Sequence, residues 1–81
     1  MRELKKLFGE RLAARRKQKG LSQRQLAALL GIRGPTIAAY ETDDAWPSVP
    51  TLIALAQVLD CSLDWLCGLT DDPEPPYHPK G

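Results

Sequence analysis

The chain has 81 residues and a mass of 9.0 kDa, enough for one small domain and too little for a deep substrate cleft. Its composition, 43% hydrophobic and 26% charged, is that of a globular protein, and no apolar run approaches the ~18 residues of a membrane span. The formal net charge of +1 conceals a split: residues 1–33 hold ten of the eleven Lys and Arg against Glu3 and Glu10, giving +8, while residues 34–81 hold eight acids and one Lys, giving −7. Such a split fits a face built for a polyanion.

Catalytic and metal chemistry find little support. Cys61, Cys67 and His78 are three candidate ligands, one short of a structural zinc site. A single His in a Pro-rich stretch has no neighbour to make it a base. The cysteines stand among apolar residues and read as packing thiols in a reducing cytoplasm, the expected compartment. The basic N-terminus lacks the apolar stretch of a signal peptide. No enzyme activity, cofactor or metal is therefore expected.

In chain order, a first helix is expected from Arg2 to Lys19, with Leu4, Leu7, Phe8 and Leu12 as its apolar stripe. Gly9 weakens it by ~1 kcal/mol relative to Ala, and Gly20 closes it. Ser22 opens a second helix as half of a capping box with Gln25. Leu26, Leu29 and Leu30 supply its apolar face, and Gly31 stops it. A third helix spans Gly34 to Glu41, with Pro35 in the tolerant first turn. Residues 42–47 form a loop. Ser48 caps a fourth helix, with Leu52, Leu55, Ala56 and Leu59 facing inward. Ser62 caps a short fifth helix that ends at Gly68. Pro73, Pro75, Pro76 and Pro79 exclude a regular helix or central strand beyond Thr70. A disordered end or linker stub is the expectation there, ahead of a ligand for a Pro-recognising domain. The class is all-α, five helices over residues 1–69 and a Pro-rich tail over 70–81.

Residues 23–41 carry the functional signal. Two helices crossing around a tight turn need a small residue at the closest approach, and Ala27 is there. The turn needs a residue that tolerates positive φ, and Gly31 is there. The shared core needs apolar positions, filled by Leu26, Leu30, Ile32, Ile37 and Tyr40. Together these give the spacing of a helix-turn-helix, whose second helix lies in the DNA major groove.

From about Phe8 to Leu69 the chain resembles the phage repressor/Cro-type helix-turn-helix proteins, the XRE family. The resemblance rests on Phe8-Gly9-Glu10-Arg11-Leu12, Gly20-Leu21-Ser22-Gln23, Leu26-Ala27, Leu30-Gly31-Ile32, Thr36-Ile37, Tyr40-Glu41 and Ser62-Leu63-Asp64-Trp65-Leu66. It implies a five-helix, lambda-repressor-like domain. It also implies a sequence-specific regulator, a repressor of phage, prophage or bacterial origin. Such a regulator binds an inverted-repeat operator in double-stranded DNA as a homodimer. By the same resemblance Gln23 touches a DNA phosphate, at a helix N-terminus suited to an anion. Arg16 and Glu41 match a pair tying the first helix to the recognition helix. That pair either only holds the fold or adds a phosphate contact from Arg16. Arg33, Gly34, Thr36, Ala38 and Ala39 fall at the start and outer face of the recognition helix, with Ser22, Arg24 and Thr42 as flanking contacts.

The pattern departs from the family at two places. Gly34, Pro35, Ala38 and Ala39 cannot hydrogen-bond a base edge, so direct readout falls to Arg33 and Thr36. Arg33 either grips a guanine through O6 and N7 or touches only phosphate, while the alanines suit thymine methyl groups. Arg33 also replaces the usual capping Ser or Thr. DNA shape would then carry much of the specificity. At residues 42–45 the family often has Asn-Gly and basic residues, and this chain has Thr42-Asp43-Asp44-Ala45, whose carboxylates must point away from phosphates or oppose binding. Trp46 either covers its own core or anchors a dimer, and Trp65 and Leu69 complete the expected dimer contacts. Arg2, Lys5, Lys6, Arg11, Arg15, Lys17, Lys19 and Arg24 read together as a phosphate-facing stripe. The rival reading is a protein-interaction module on the same scaffold, an antitoxin or repressor antagonist with a regulatory protein partner.

Overall fold

The computed structural model describes residues 2–76, with side chains from residue 3 onward. The five expected helices are present: α1 (Arg2–Gln18), α2 (Gln23–Leu30), α3 (Gly34–Glu41), α4 (Val49–Val58) and α5 (Leu63–Leu66). No strand occurs among the described residues. The α1 stripe delivers Phe8 and Leu12 to the centre of the core, both with no exposed surface. Around them pack Leu26 and Ala27 of α2, Ile37 and Tyr40 of α3, Leu55 of α4, Leu59 and Cys61 after it, and Leu66 of α5.

Local chemistry sets the helix ends. Gly20 closes α1 at φ 71°, and the Leu21 amide donates back to the Arg16 carbonyl. The helix thus ends one residue before Lys19, because Lys19 already belongs to the turn. At the start of α2 the full capping box forms. The Gln25 amide donates to Ser22 Oγ at 3.0 Å, and the Ser22 amide donates to Gln25 Oε1 at 2.8 Å. Ser22→Ala is expected to cost about 1 kcal/mol. It would lower Tm by roughly 4–8 °C in a thermal melt, given the size of the domain. Ser48 and Ser62 accept in the same way from the Thr51 and Trp65 amides.

Two expectations change. Leu29 is 61% exposed and does not join the apolar face of α2. Leu26, Ala27 and Leu30 define the buried stripe, and Leu29 lies roughly 100° around the helix from its centre. Ala27 takes the place that Leu29 was given. The second change concerns residues 70–75. They form no helix or strand, as their prolines require, yet they fold back onto the domain rather than leave it as a stub. The Ser62 amide donates to the Pro73 carbonyl at 2.9 Å. The Arg11 guanidinium donates to the carbonyls of Trp65 and Thr70 and pairs with Asp71 at 3.0 Å. His78 and Pro79 lie outside the described residues.

Candidate nucleic-acid interface

The turn between α2 and α3 has the geometry the spacing required. Gly31 is left-handed at φ 69°, and the Ile32 amide donates to the Ala27 carbonyl at 3.0 Å, so the chain reverses within three residues. Arg33 then stands as the N-cap of α3 in extended conformation, with no side-chain cap bond, as its identity predicted. Arg33 is exposed. Its long side chain is thus placed at the start of the recognition helix without a structural task there.

Ser22, Gln23, Arg24, Gly34, Pro35 and Ala38 line one shallow groove of about 570 Å³ between the N-terminal ends of α2 and α3. Five of the expected DNA contacts therefore meet at one place. Buried Ile37 and Tyr40 fix which side of α3 faces inward. Pro35 and Thr42 are left exposed on the opposite side by helical periodicity, with half-buried Ala38 and Ala39 flanking them and half-buried Gly34 farther round. Thr36 sits on its flank, half-buried. The Thr42 hydroxyl turns back to the end of its own helix, 2.9 Å from the Ala38 carbonyl and 2.8 Å from Asp44 Oδ2.

Arg16 is 8% exposed and lies inside the domain. Its Nε donates to Glu41 Oε2 at 2.6 Å, one terminal nitrogen to Glu41 Oε1 at 3.1 Å and the other to the Leu21 carbonyl at 2.8 Å. All three guanidinium nitrogens are thereby engaged within the chain. The hydrogen bond to Glu41 raises the Arg16 pKa above its ordinary value, outweighing the lowering by burial, and the charge attraction adds to it. Gln23 Nε2 donates to the same Glu41 Oε1 at 3.0 Å. One carboxylate at the end of α3 therefore holds α1 and the first side chain of α2 together.

The basic stripe is narrower than the sequence implied. Arg11 is spent on α5 and the residues after it, and its guanidinium carbon lies 5.1 Å from the Trp65 ring centroid. Arg15 donates to the carbonyls of Leu59 and Asp60 at 2.9 and 2.8 Å, which satisfies the end of α4. Lys17, Lys19, Arg24 and Arg33 remain exposed, from the end of α1 through the turn to the start of α3. Lys5 and Lys6 sit nearer the other end of α1.

The acidic loop points its charge inward in part. Asp43 takes the left-handed position after α3 at φ 71°, where the family's Gly stands, and the Asp44 amide donates to the Ala39 carbonyl at 3.0 Å. One oxygen of Asp43 is buried, and the Asp44 carboxylate faces Thr42. Trp46 stacks on Phe8 with centroids 5.2 Å apart and still exposes 43% of its surface, so it covers the core on one side and faces outward on the other. Trp65 is half-buried beneath Arg11, and Leu69 is 74% exposed. Sequence reading missed Val49 and Ile53, which are 66% and 43% exposed. The signal was available: with Leu52, Leu55 and Leu59 turned inward, Val49 and Ile53 make α4 apolar on a second side.

Cys61 is buried and Cys67 half-buried, both as free thiols. Burial pushes the Cys61 thiol up to about 11 and raises that of Cys67, which makes both poor nucleophiles at neutral pH. No metal-holding cluster and no helix long and apolar enough to cross a membrane occur among the described residues.

Residues 12–66 match the helix-turn-helix family HTH_3. The chain is similar to the uncharacterized HTH-type transcriptional regulator YobD of Bacillus subtilis, 36% identical over 74 residues, covering 91% of this chain and 66% of that one. It is similar to repressor protein C2 of Salmonella phage P22, 37% identical over 60 residues, covering 74% of this chain and 28% of that one. The chain thus spans about two thirds of one relative and little more than a quarter of the other. Its fold matches the P22 c2 repressor as crystallised with a synthetic operator, with a TM-score of 0.75 at 34% identity over 79% of this chain and 97% of that one. By sequence match and by fold, this chain belongs to the helix-turn-helix family in its phage-repressor form.

Proposed function

We propose that the protein is a sequence-specific DNA-binding transcriptional regulator, a repressor that binds an inverted-repeat operator as a homodimer. The observation that carries this reading is the joint placement of the α2 and α3 N-termini around one groove, with exposed Arg24 in its wall and exposed Arg33 at the start of α3. The N-terminus of α2 offers unpaired amides and a positive dipole end to a phosphate. Gln23, held by Glu41, stands at that terminus. In this reading Arg33, exposed at the start of α3, reads a guanine edge. Two copies would set their α3 helices in successive major grooves, ~34 Å apart. Leu69 and the outward side of Trp46, with Val49 and Ile53, supply apolar surface for the contact between copies. The burial of one Asp43 oxygen removes part of the objection raised by the loop's charge, while Asp44 stays exposed beside Thr42. The relatives' names as regulators and repressors support the same reading.

Binding to genomic DNA fragments across a salt series, with sequencing of the retained fraction, tests it. One inverted repeat is expected to be enriched, with affinity falling steeply as salt rises. No enrichment and no salt slope would refute the proposal and favour the protein-interaction module. Within the bound state, Gln23→Ala is expected to weaken all sequences about equally. Arg33→Ala is expected to relax preference at one base pair per half-site, by about 1–3 kcal/mol. Measured binding curves on single-base operator variants separate the two behaviours.

A further inference from the structure

The recognition helix carries a chemical restriction that narrows its ligand. Away from the core it offers half-buried Gly34, exposed Pro35, half-buried Ala38 and Ala39, and exposed Thr42. The first four have no side-chain donor or acceptor. The fifth has its one hydroxyl proton shared between the Ala38 carbonyl and Asp44 Oδ2, which leaves no proton to donate to a base. The start of α3 runs close to α2 at Gly34, where an added Cβ would meet Arg24 Cγ at 3.6 Å. The apolar surface of α3 therefore continues onto α2 in the same groove. Major-groove base edges offer such a surface one feature it can prefer, the C5-methyl group of thymine. Small side chains also let the helix backbone approach closely, which brings the Ala38 and Ala39 methyls into reach of those groups.

We propose that α3 reads its operator through pyrimidine C5-methyl groups packed against Pro35, Ala38 and Ala39, with Arg33 as the polar contact at the end of the methyl run. The proposal rests on the DNA-binding reading above. It adds the class of base edge recognised: a short pyrimidine run bearing methyl groups, thymine or 5-methylcytosine, beside a guanine. A methyl-reading face is indifferent to the exocyclic group at C4, so 5-methylcytosine should serve nearly as well as thymine, and unmethylated cytosine should not.

The test uses the operator recovered from the genomic selection. Each thymine of a half-site is replaced in turn by deoxyuridine, which removes the methyl group and keeps the pairing. Affinity is expected to fall roughly fourfold per contacted methyl, the equivalent of about 0.8 kcal/mol, at adjacent positions and to stay unchanged elsewhere. At those positions cytosine is expected to bind as weakly as deoxyuridine, and 5-methylcytosine to recover the loss. Ala38→Gly, with Ala39→Gly as a second variant, is expected to erase the thymine/deoxyuridine ratio at one position per half-site. Circular dichroism is to be recorded on each variant, and affinities are compared at equal folded fraction. Equal affinity for thymine and deoxyuridine at every position, with salt-sensitive operator binding intact, overturns methyl reading and leaves DNA binding standing. A ratio that neither alanine variant moves overturns its assignment to this face. Failure to enrich any DNA overturns both proposals.

Discussion

Glu41→Ala is expected to lower the unfolding free energy by about 3–5 kcal/mol, read from chemical denaturation. The Arg16 and Glu41 side chains are only 10% and 7% exposed, so the mutation strands a guanidinium in the interior with its main partner gone. A single core of this size rarely supplies more than ~3–5 kcal/mol in total, so the variant should be largely unfolded at 37 °C. The cost is that of an uncompensated buried charge, not the net worth of the pair. The double variant Arg16→Leu/Glu41→Leu is therefore expected to recover most of the loss, since apolar residues of similar volume often replace a buried pair at little cost. A loss below about 1 kcal/mol in the single variant would show that the pair behaves as a solvated one. The double variant also isolates the second task of Glu41. Gln23 Nε2 loses its acceptor in it, so DNA affinity should remain below wild type even though the fold has returned.

The helix-turn-helix was legible because its constraints are local. Ala27, Gly31, Ile37 and the capping box of Ser22 and Gln25 lie within a few residues of what they contact, and each requirement selects one residue type. The missing cap at Arg33 was legible for the same reason. The destinations of Arg11 and Arg15 were not. Their partners are mainly backbone carbonyls at Trp65, Thr70, Leu59 and Asp60, which every residue carries and no sequence pattern marks. The charge split therefore read as one basic and one acidic surface, whereas two of its arginines bind the acidic half to the basic one. Arg16 and Glu41 were legible as a pair only through the family resemblance. Nothing in the sequence placed Gln23 on the same carboxylate.

Gly9 shows how the sign of a sequence-based expectation reverses when a neighbour enters. By helix propensity alone, Gly9→Ala should stabilise α1 by ~1 kcal/mol. In the fold, a Cβ at Gly9 would sit 2.6 Å from the Glu41 carbonyl oxygen and 2.9 Å from that of Tyr40. Both atoms are backbone, at the end of α3, so no side chain can swing aside. The contact is relieved only if α3 moves away from α1. That movement pulls against the Arg16–Glu41 pair and loosens Ile37 and Tyr40 in the core. Gly9→Ala is accordingly expected to destabilise the domain by about 3 kcal/mol, the upper part of the range for overpacking, despite its favourable propensity. Denaturant midpoints of wild type and variant read this directly, and a stabilised variant would show that α1 and α3 are farther apart in solution. The displacement would fall on the recognition helix itself. A Gly9→Ala protein assayed at low temperature, where it remains folded, should therefore lose operator affinity beyond its unfolded fraction. Cys61→Ala trims a buried core residue outside the groove and outside the Gly9 contact, so its affinity should track folding alone.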